Sequence, residues 1–157
     1  MAGEETLFAG PADALALLPG ARKRAVRPGD SFEEAGVRVL VLSAGDREDG
    51  FHPPSRCVGY LVEGAGPSLL HPGDPGTPPP FLPRVPEVIA LPVSGGTVLD
   101  AAGAAAVAAA SGASFALPLH WGDLQGGYAD AALFRDEVRR LAPGMGVILR
   151  EIGPRDR

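Results

Sequence analysis

Between two apolar runs, Val88 to Val93 and Ser114 to Leu119, the chain holds Ala101 to Ala110, eight alanines interrupted only by Gly103 and Val107. Alanine has the highest helix propensity of any residue, so this stretch is helical, and Ser111-Gly112 stops it. Thr97-Val98-Leu99-Asp100 ahead of it fits a capping box, with Thr97 at the cap. A strand, a helix and a second strand in succession return to one sheet as a parallel crossover. The pattern continues. Ala129 to Leu141 reads as an amphipathic helix with Ala132, Leu133, Val138 and Leu141 inward and Arg135, Asp136, Arg139 and Arg140 outward. Pro143-Gly144 ends it, Val147 to Leu149 reads as a last strand, and Gly153 to Arg157 as a polar tail. Strand, helix, strand, helix, strand dictates an α/β architecture in which crossover helices cover one face of the sheet.

The earlier half contributes antiparallel pieces, which makes the sheet mixed. Pro11 to Leu18 reads as a short helix closed by Pro19-Gly20. Ala21 to Arg27 is a basic cluster read as a solvated loop, followed by a Pro28-Gly29-Asp30 turn. Val37 to Leu42 is a β-branched strand between Gly36 and Gly45, expected to be buried on both faces. Ala44 to Gly50 reads as a charged surface loop. Val58 to Val62 and Ser68 to Leu70 then form a hairpin around Gly64-Ala65-Gly66-Pro67. His52 stands just before this hairpin and Asp74 just after it. Entry and exit of a hairpin share one end, so these two side chains are expected to be neighbours. The proline-rich string Pro75 to Pro83 lacks too many amide donors for helix or central strand and reads as a stiff loop.

At 157 residues and 45% hydrophobic, the chain fits one domain, 1–157, with a core that needs no disulfide. Cys57 is the only cysteine, which excludes an internal disulfide and a four-cysteine zinc site. A reducing, cytoplasmic setting is the expectation. No apolar run approaches about 18 residues, and the N-terminus lacks the parts of a signal peptide, so no membrane partner is expected. The formal charge of −5 argues against broad nucleic-acid binding, which needs a basic face.

Three residues able to bind metal fall at strand ends: His52, Asp74 and His120. In α/β sheets functional groups collect on such loops. Two imidazoles and a carboxylate are a recurrent ligand set for zinc, manganese or iron. Each residue also has a structural reading. Asp74 suits a turn in any protein, His71 reads as a hydrogen-bonded structural histidine, Trp121 as packing and Cys57 as a small buried hydrophobe. Asp123 reads as a helix cap or loop charge.

Phe51-His52-Pro53 with Val58-Gly59-Tyr60, then Leu70-His71-Pro72-Gly73-Asp74, then Leu91 to Asp100, then Leu117-Pro118-Leu119-His120-Trp121-Gly122, together resemble the metallo-β-lactamase-fold metal-dependent hydrolases. The likeness is greatest to the ascorbate-6-phosphate lactonase-like branch, where a histidine precedes a Gly-Tyr strand, an aspartate sits in a Gly-Asp-Thr turn, and a histidine follows Pro-Met. It implies a mixed-sheet αββα sandwich, here in part. By the resemblance His52 would be the last histidine of a first metal position, Asp74 the catalytic carboxylate bridging two metals, and His120 the histidine of the second position. Such enzymes cleave esters, lactones, amides or phosphodiesters with a metal-held hydroxide. The chain departs from the family at its principal motif, His-x-His-x-Asp-His, which none of its three histidines forms. Gly-Asp-Thr is here Gly73-Asp74-Pro75, and the family's tyrosine is here Trp121. The sequence looks like the family without its N-terminal part.

Zinc at a catalytic site takes about three protein ligands. With Asp74 shared, each position would keep two, so the chain alone is not expected to hold a dinuclear centre. The expectation is a hydrolase-like protein with an incomplete metal centre, completed by another polypeptide or complete in a longer gene product. The other readings are a metal-free relative serving as a binding or regulatory subunit, and a single-metal hydrolase. Absent leading strands would bare an apolar face, so a homo-oligomer, or a partner subunit supplying the missing part, is expected. The small-molecule substrate is not legible.

Overall fold

The computed structural model describes residues 6–45, 50–54, 56–78, 84–122 and 127–149. Its centre is a seven-stranded mixed sheet, made of β3 (Ser31–Glu34), β4 (Val37–Ser43), β5 (Val58–Glu63), β6 (Leu69–His71), β7 (Val88–Pro92), β8 (Phe115–Leu119) and β9 (Gly146–Val147), neighbours in that order. The first four strands pair antiparallel and the last three join in parallel, each parallel step after β7 carried by a helix. These helices are α2 (Ala101–Ser111) and α3 (Tyr128–Leu141), which pack against each other. The mixed sheet with crossover helices is as the sequence implies.

One cross-strand row explains why the helices sit where they do. Leu40, Leu61, Leu70, Ile89 and Ala116 are successive register partners, and Leu61, Leu70, Ile89 and Ala116 are buried. They meet Ala104, Ala105 and Ala108 of α2 and Phe134 and Val138 of α3 in one core cluster. Side chains that end at Cβ let α2 lie close to the strands, and each large side chain buried here contributes about 1.5–3 kcal/mol. Gly112, left-handed at φ 72°, closes α2. The buried Ser111 hydroxyl donates to Ala108 O and accepts from the Ala113 amide.

Several local expectations are corrected. Asp100, not Thr97, caps α2, its carboxylate accepting from Gly103 N at 2.7 Å. Ser94 and Asp100 form a bridge with Gly95 N donating to Leu99 O, so the residues between them are a turn and the helix starts later. In α3 the buried stripe is Ala131, Phe134 and Val138, whereas Leu133 and Leu141 are 49% and 40% exposed. Phe134, the largest apolar side chain of the helix, sets its rotation. β4 is not buried on both faces: only Val41 is. The basic cluster is not a loop but contains β2 (Arg22–Ala25), fully exposed, which pairs in parallel with β1 (Leu7–Gly10) around α1 (Ala12–Ala16). β1 and β3 carried no apolar run long enough to announce them. The 46–49 part of the surface loop, residues 79–83 of the proline string, Asp123 and the polar tail lie outside the described residues. Among the described residues no helix is long and apolar enough to cross a membrane.

Candidate functional site

β6 ends at His71, and Pro72-Gly73 turns the chain so that Asp74 follows at the strand's end. Gly73 is left-handed at φ +82°, and an added Cβ would stand 2.7 Å from Ala44 Cβ, so only glycine fits this turn. Its amide donates to His71 Nδ1 at 3.0 Å, leaving the proton of a neutral imidazole on Nε2. His71 is thus the hydrogen-bonded brace of the turn that carries Asp74. Leu99 N donates to Pro75 O at 2.8 Å and ties the far side of the turn to the approach to α2.

β8 delivers His120 to the same end of the sheet. Its φ is +56°, one of two non-glycine residues in the left-handed region among the described residues. Such backbone costs of order 1 kcal/mol and persists where the surroundings over-determine it, commonly at functional sites. His120 Nε2 stands 3.4 Å from Asp74 Oδ1, and the two side chains are 25% and 38% exposed. That separation is long for a hydrogen bond. It is close to the roughly 3.3 Å between two ligands of a tetrahedral ion bound at about 2.0–2.1 Å.

His52 approaches from the other limb. Its backbone carbonyl and the Pro53-Pro54 peptide crowd Gly45, where a Cβ would lie 2.5 Å from His52 O, so a glycine at the end of β4 sets how closely this loop docks. Phe51 meets the His52 ring edge-on at 5.0 Å. His52 and Asp74 line one cavity of about 410 Å³, with Leu15 of α1, Arg56, Cys57 and Tyr60 around them. Cys57 is half-buried on that wall. Arg56 Nε pairs with Asp13 Oδ2 at 2.7 Å and clasps α1 over the cavity, and that guanidinium holds the Asp13 carboxyl below its ordinary pKa. Tyr60 donates to Ala9 O at 3.0 Å, and burial raises its pKa.

The Nδ1 atoms of His52 and His120 are buried with no hydrogen-bond partner. Unsatisfied buried nitrogens at a site of this kind call for an explanation, and a ligand is one. The structure therefore brings Asp74 and His120 into contact and sets His52 on the cavity that Asp74 shares. Among the described residues, however, no three His, Cys, Asp or Glu side chains converge tightly enough to hold a metal ion. Two donors are one short of the three protein ligands of a catalytic zinc site. Trp121 packs as read, half-buried against the core, donating to Pro118 O at 2.9 Å and edge-on to Tyr128. Sequence reasoning missed α1, Arg56 and Tyr60 as cavity walls, because they meet the histidines only through tertiary folding.

A family described as a beta-lactamase superfamily domain matches residues 11–120. Among solved structures, the chain is similar to a protein of Parabacteroides distasonis described as a metal-dependent hydrolase, with a TM-score of 0.74 at 19% identity, covering 95% of this chain and 66% of that one. It is also similar to Igni18, a metallo hydrolase of Ignicoccus hospitalis, with a TM-score of 0.71 at 18% identity over 93% and 66%. Zinc-bound PqqB of Methylobacterium extorquens follows with a TM-score of 0.56 at 13% identity over 90% and 62%. At these identities the likeness is one of fold, and the chain spans no more than about two thirds of each protein's length. No curated protein matches the chain.

Proposed function

The chain belongs to the beta-lactamase superfamily, and on that premise we propose that it is a metal-dependent hydrolase-like protein whose own residues supply only part of a metal centre. The observation that carries this reading is the 3.4 Å approach of His120 Nε2 to Asp74 Oδ1 beyond the C-terminal ends of β8 and β6. In this reading Asp74 and His120 would hold one zinc ion, or manganese or iron in its place, and His52, on the wall of the cavity that Asp74 shares, would be the third donor. A second metal position would draw its remaining ligands from another polypeptide segment. Asp74 is the catalytic carboxylate because it alone can serve both positions. Bound metal would supply an activated water for cleaving an ester, lactone, amide or phosphodiester bond. The shortfall of donors also supports a second reading, a metal-free relative serving as a binding or regulatory subunit.

Zinc titration of the purified chain followed by calorimetry separates the two. The first reading expects one ion per chain, bound at least about tenfold more weakly in His120→Ala and Asp74→Asn, a loss of about 1.4 kcal/mol or more. Zinc uptake indifferent to both substitutions would support the metal-free reading. Two ions per chain at near-stoichiometric affinity would refute the incomplete centre.

A further inference from the structure

Asp74 takes its direction from the residues just before it. β6 ends at His71, the ring of Pro72 fixes its own φ, and Gly73 stands at φ +82°, one of many conformations open to glycine. Glycine by itself would not hold the next residue in one direction. His71 Nδ1 accepts the Gly73 amide proton at 3.0 Å, which closes His71, Pro72 and Gly73 into a ring and selects that conformation. The bond joins a side chain to the amide two residues on, the pattern that asparagine or aspartate ordinarily supplies as an Asx turn. Here an imidazole supplies it, and the imidazole is itself held in place. Leu70 before it is buried, His71 is the register partner of Tyr60, and the Tyr60 hydroxyl donates to Ala9 O at 3.0 Å.

We propose that His71 is a positioning residue, whose bond to the Gly73 amide holds the Asp74 carboxylate against His120 and so sets how tightly that pair binds a cation. The consequence for metal rests on the reading given above; the placing of Asp74 does not. Three observations carry it. The Asp74 side chain is 38% exposed and its 3.4 Å approach to His120 is long for a hydrogen bond, so that contact does not hold the carboxylate by itself. Position 73 cannot stiffen the turn with a side chain of its own, because a Cβ there would stand 2.7 Å from Ala44 Cβ, and the restraint has to come from a neighbour. The far side of the turn is already tied, by Leu99 N donating to Pro75 O at 2.8 Å, so the bond to His71 completes the fixing of Asp74 from both directions. A histidine that only filled space at a strand end would not need a bare Nδ1 aimed at the turn.

Imidazole nitrogen NMR on the metal-free chain, compared with His71→Leu and His71→Asn, tests the placing. The chain has three histidines, so each substitution also assigns the His71 signals. Wild type is expected to show His71 with Nδ1 bare and its proton on Nε2. His71→Leu keeps bulk and loses the acceptor, so the His120 ring signals are expected to move. His71→Asn restores an acceptor for the Gly73 amide and is expected to return them. Zinc titration reads the consequence: a Kd about ten- to a hundredfold weaker in His71→Leu, and within about threefold of wild type in His71→Asn. His71→Val replaces the leucine variant if a far-ultraviolet dichroism melt shows that the latter does not fold. A neutral His71 with its proton on Nδ1, His120 signals indifferent to loss of the acceptor, or zinc affinity lost equally in the two variants overturns the proposal. So does a lower melting temperature in His71→Leu with zinc affinity unchanged, which would make the bond a brace of stability alone. A wild-type chain that takes up no zinc refutes the metal reading instead, and the NMR comparison then decides the role of His71 by itself.

Discussion

Gly59→Ala is the substitution by which the geometry around the site is most sharply tested. Gly59 lies in β5, opposite Leu42 of β4, and an added Cβ would stand 2.8 Å from both Cα and C of Pro72 and 2.9 Å from His71 O. Ordinary contact begins at about 3.4 Å, so roughly half an ångström must be found. All three obstructing atoms are backbone, and none can swing aside as a side-chain tip would. β5 and β6 have to separate next to the Tyr60–His71 register pair. Overpacking of this kind costs about 2 kcal/mol, which for a domain of this size lowers Tm by about 4–8 °C. Gly66 is the control: it lies in the turn of the same hairpin with nothing within 4 Å and no left-handed φ. Gly66→Ala should stay within about 0.5 kcal/mol of wild type. Urea and thermal unfolding measure both. The same displacement moves the turn carrying Asp74 away from His120, so zinc affinity should fall in Gly59→Ala alone. If the two variants unfold together, within about 0.5 kcal/mol, the close approach of Pro72 to β5 is not what holds this turn.

Two further outcomes follow from the fold. Phe134→Ala, at a fully buried position, should cost about 3–5 kcal/mol, and Leu133→Ala, at 49% exposure, no more than about 0.5, read from urea midpoints; equal costs would refute the helix phase described above. Hydrogen bonds from Arg56, Arg22 and Arg135 lower the folded-state pKa of Asp13, Glu34 and Asp136. The unfolded chain therefore binds protons first as pH falls, so the stability these pairs contribute is whole above the ordinary carboxylate value of about 4 and is lost as pH falls through the lower folded values. Urea midpoints taken from pH 6 to pH 2 should decline, less steeply in Asp13→Asn and in 1 M salt, and a midpoint that rises on acidification would contradict the pairing.

The order of strands and helices in the second half, the β5–β6 hairpin and the placing of His52, Asp74 and His120 at strand ends were all legible in the sequence. Each rests on a short-range signal: an alanine run between apolar strands, a Gly-Pro turn, a boundary residue next to a β-branched stretch. What the sequence could not carry is whatever depends on partners far along the chain. Thr97 and Asp100 are both capable caps, and the bridge from Ser94 to Asp100 chose between them. Leu133 and Phe134 are both apolar, and packing against α2 and the sheet decided which one turned inward. β4 reads as apolar on both faces, and which of its side chains is buried was decided by what the rest of the chain lays over it: Val41 alone is, on the face that Tyr60 shares. The 3.4 Å approach of Asp74 to His120 joins residues that share no local pattern. It exists because β6, β7 and β8 run parallel and bring their C-terminal ends to one edge, a consequence of crossovers that only the assembled sheet can fix.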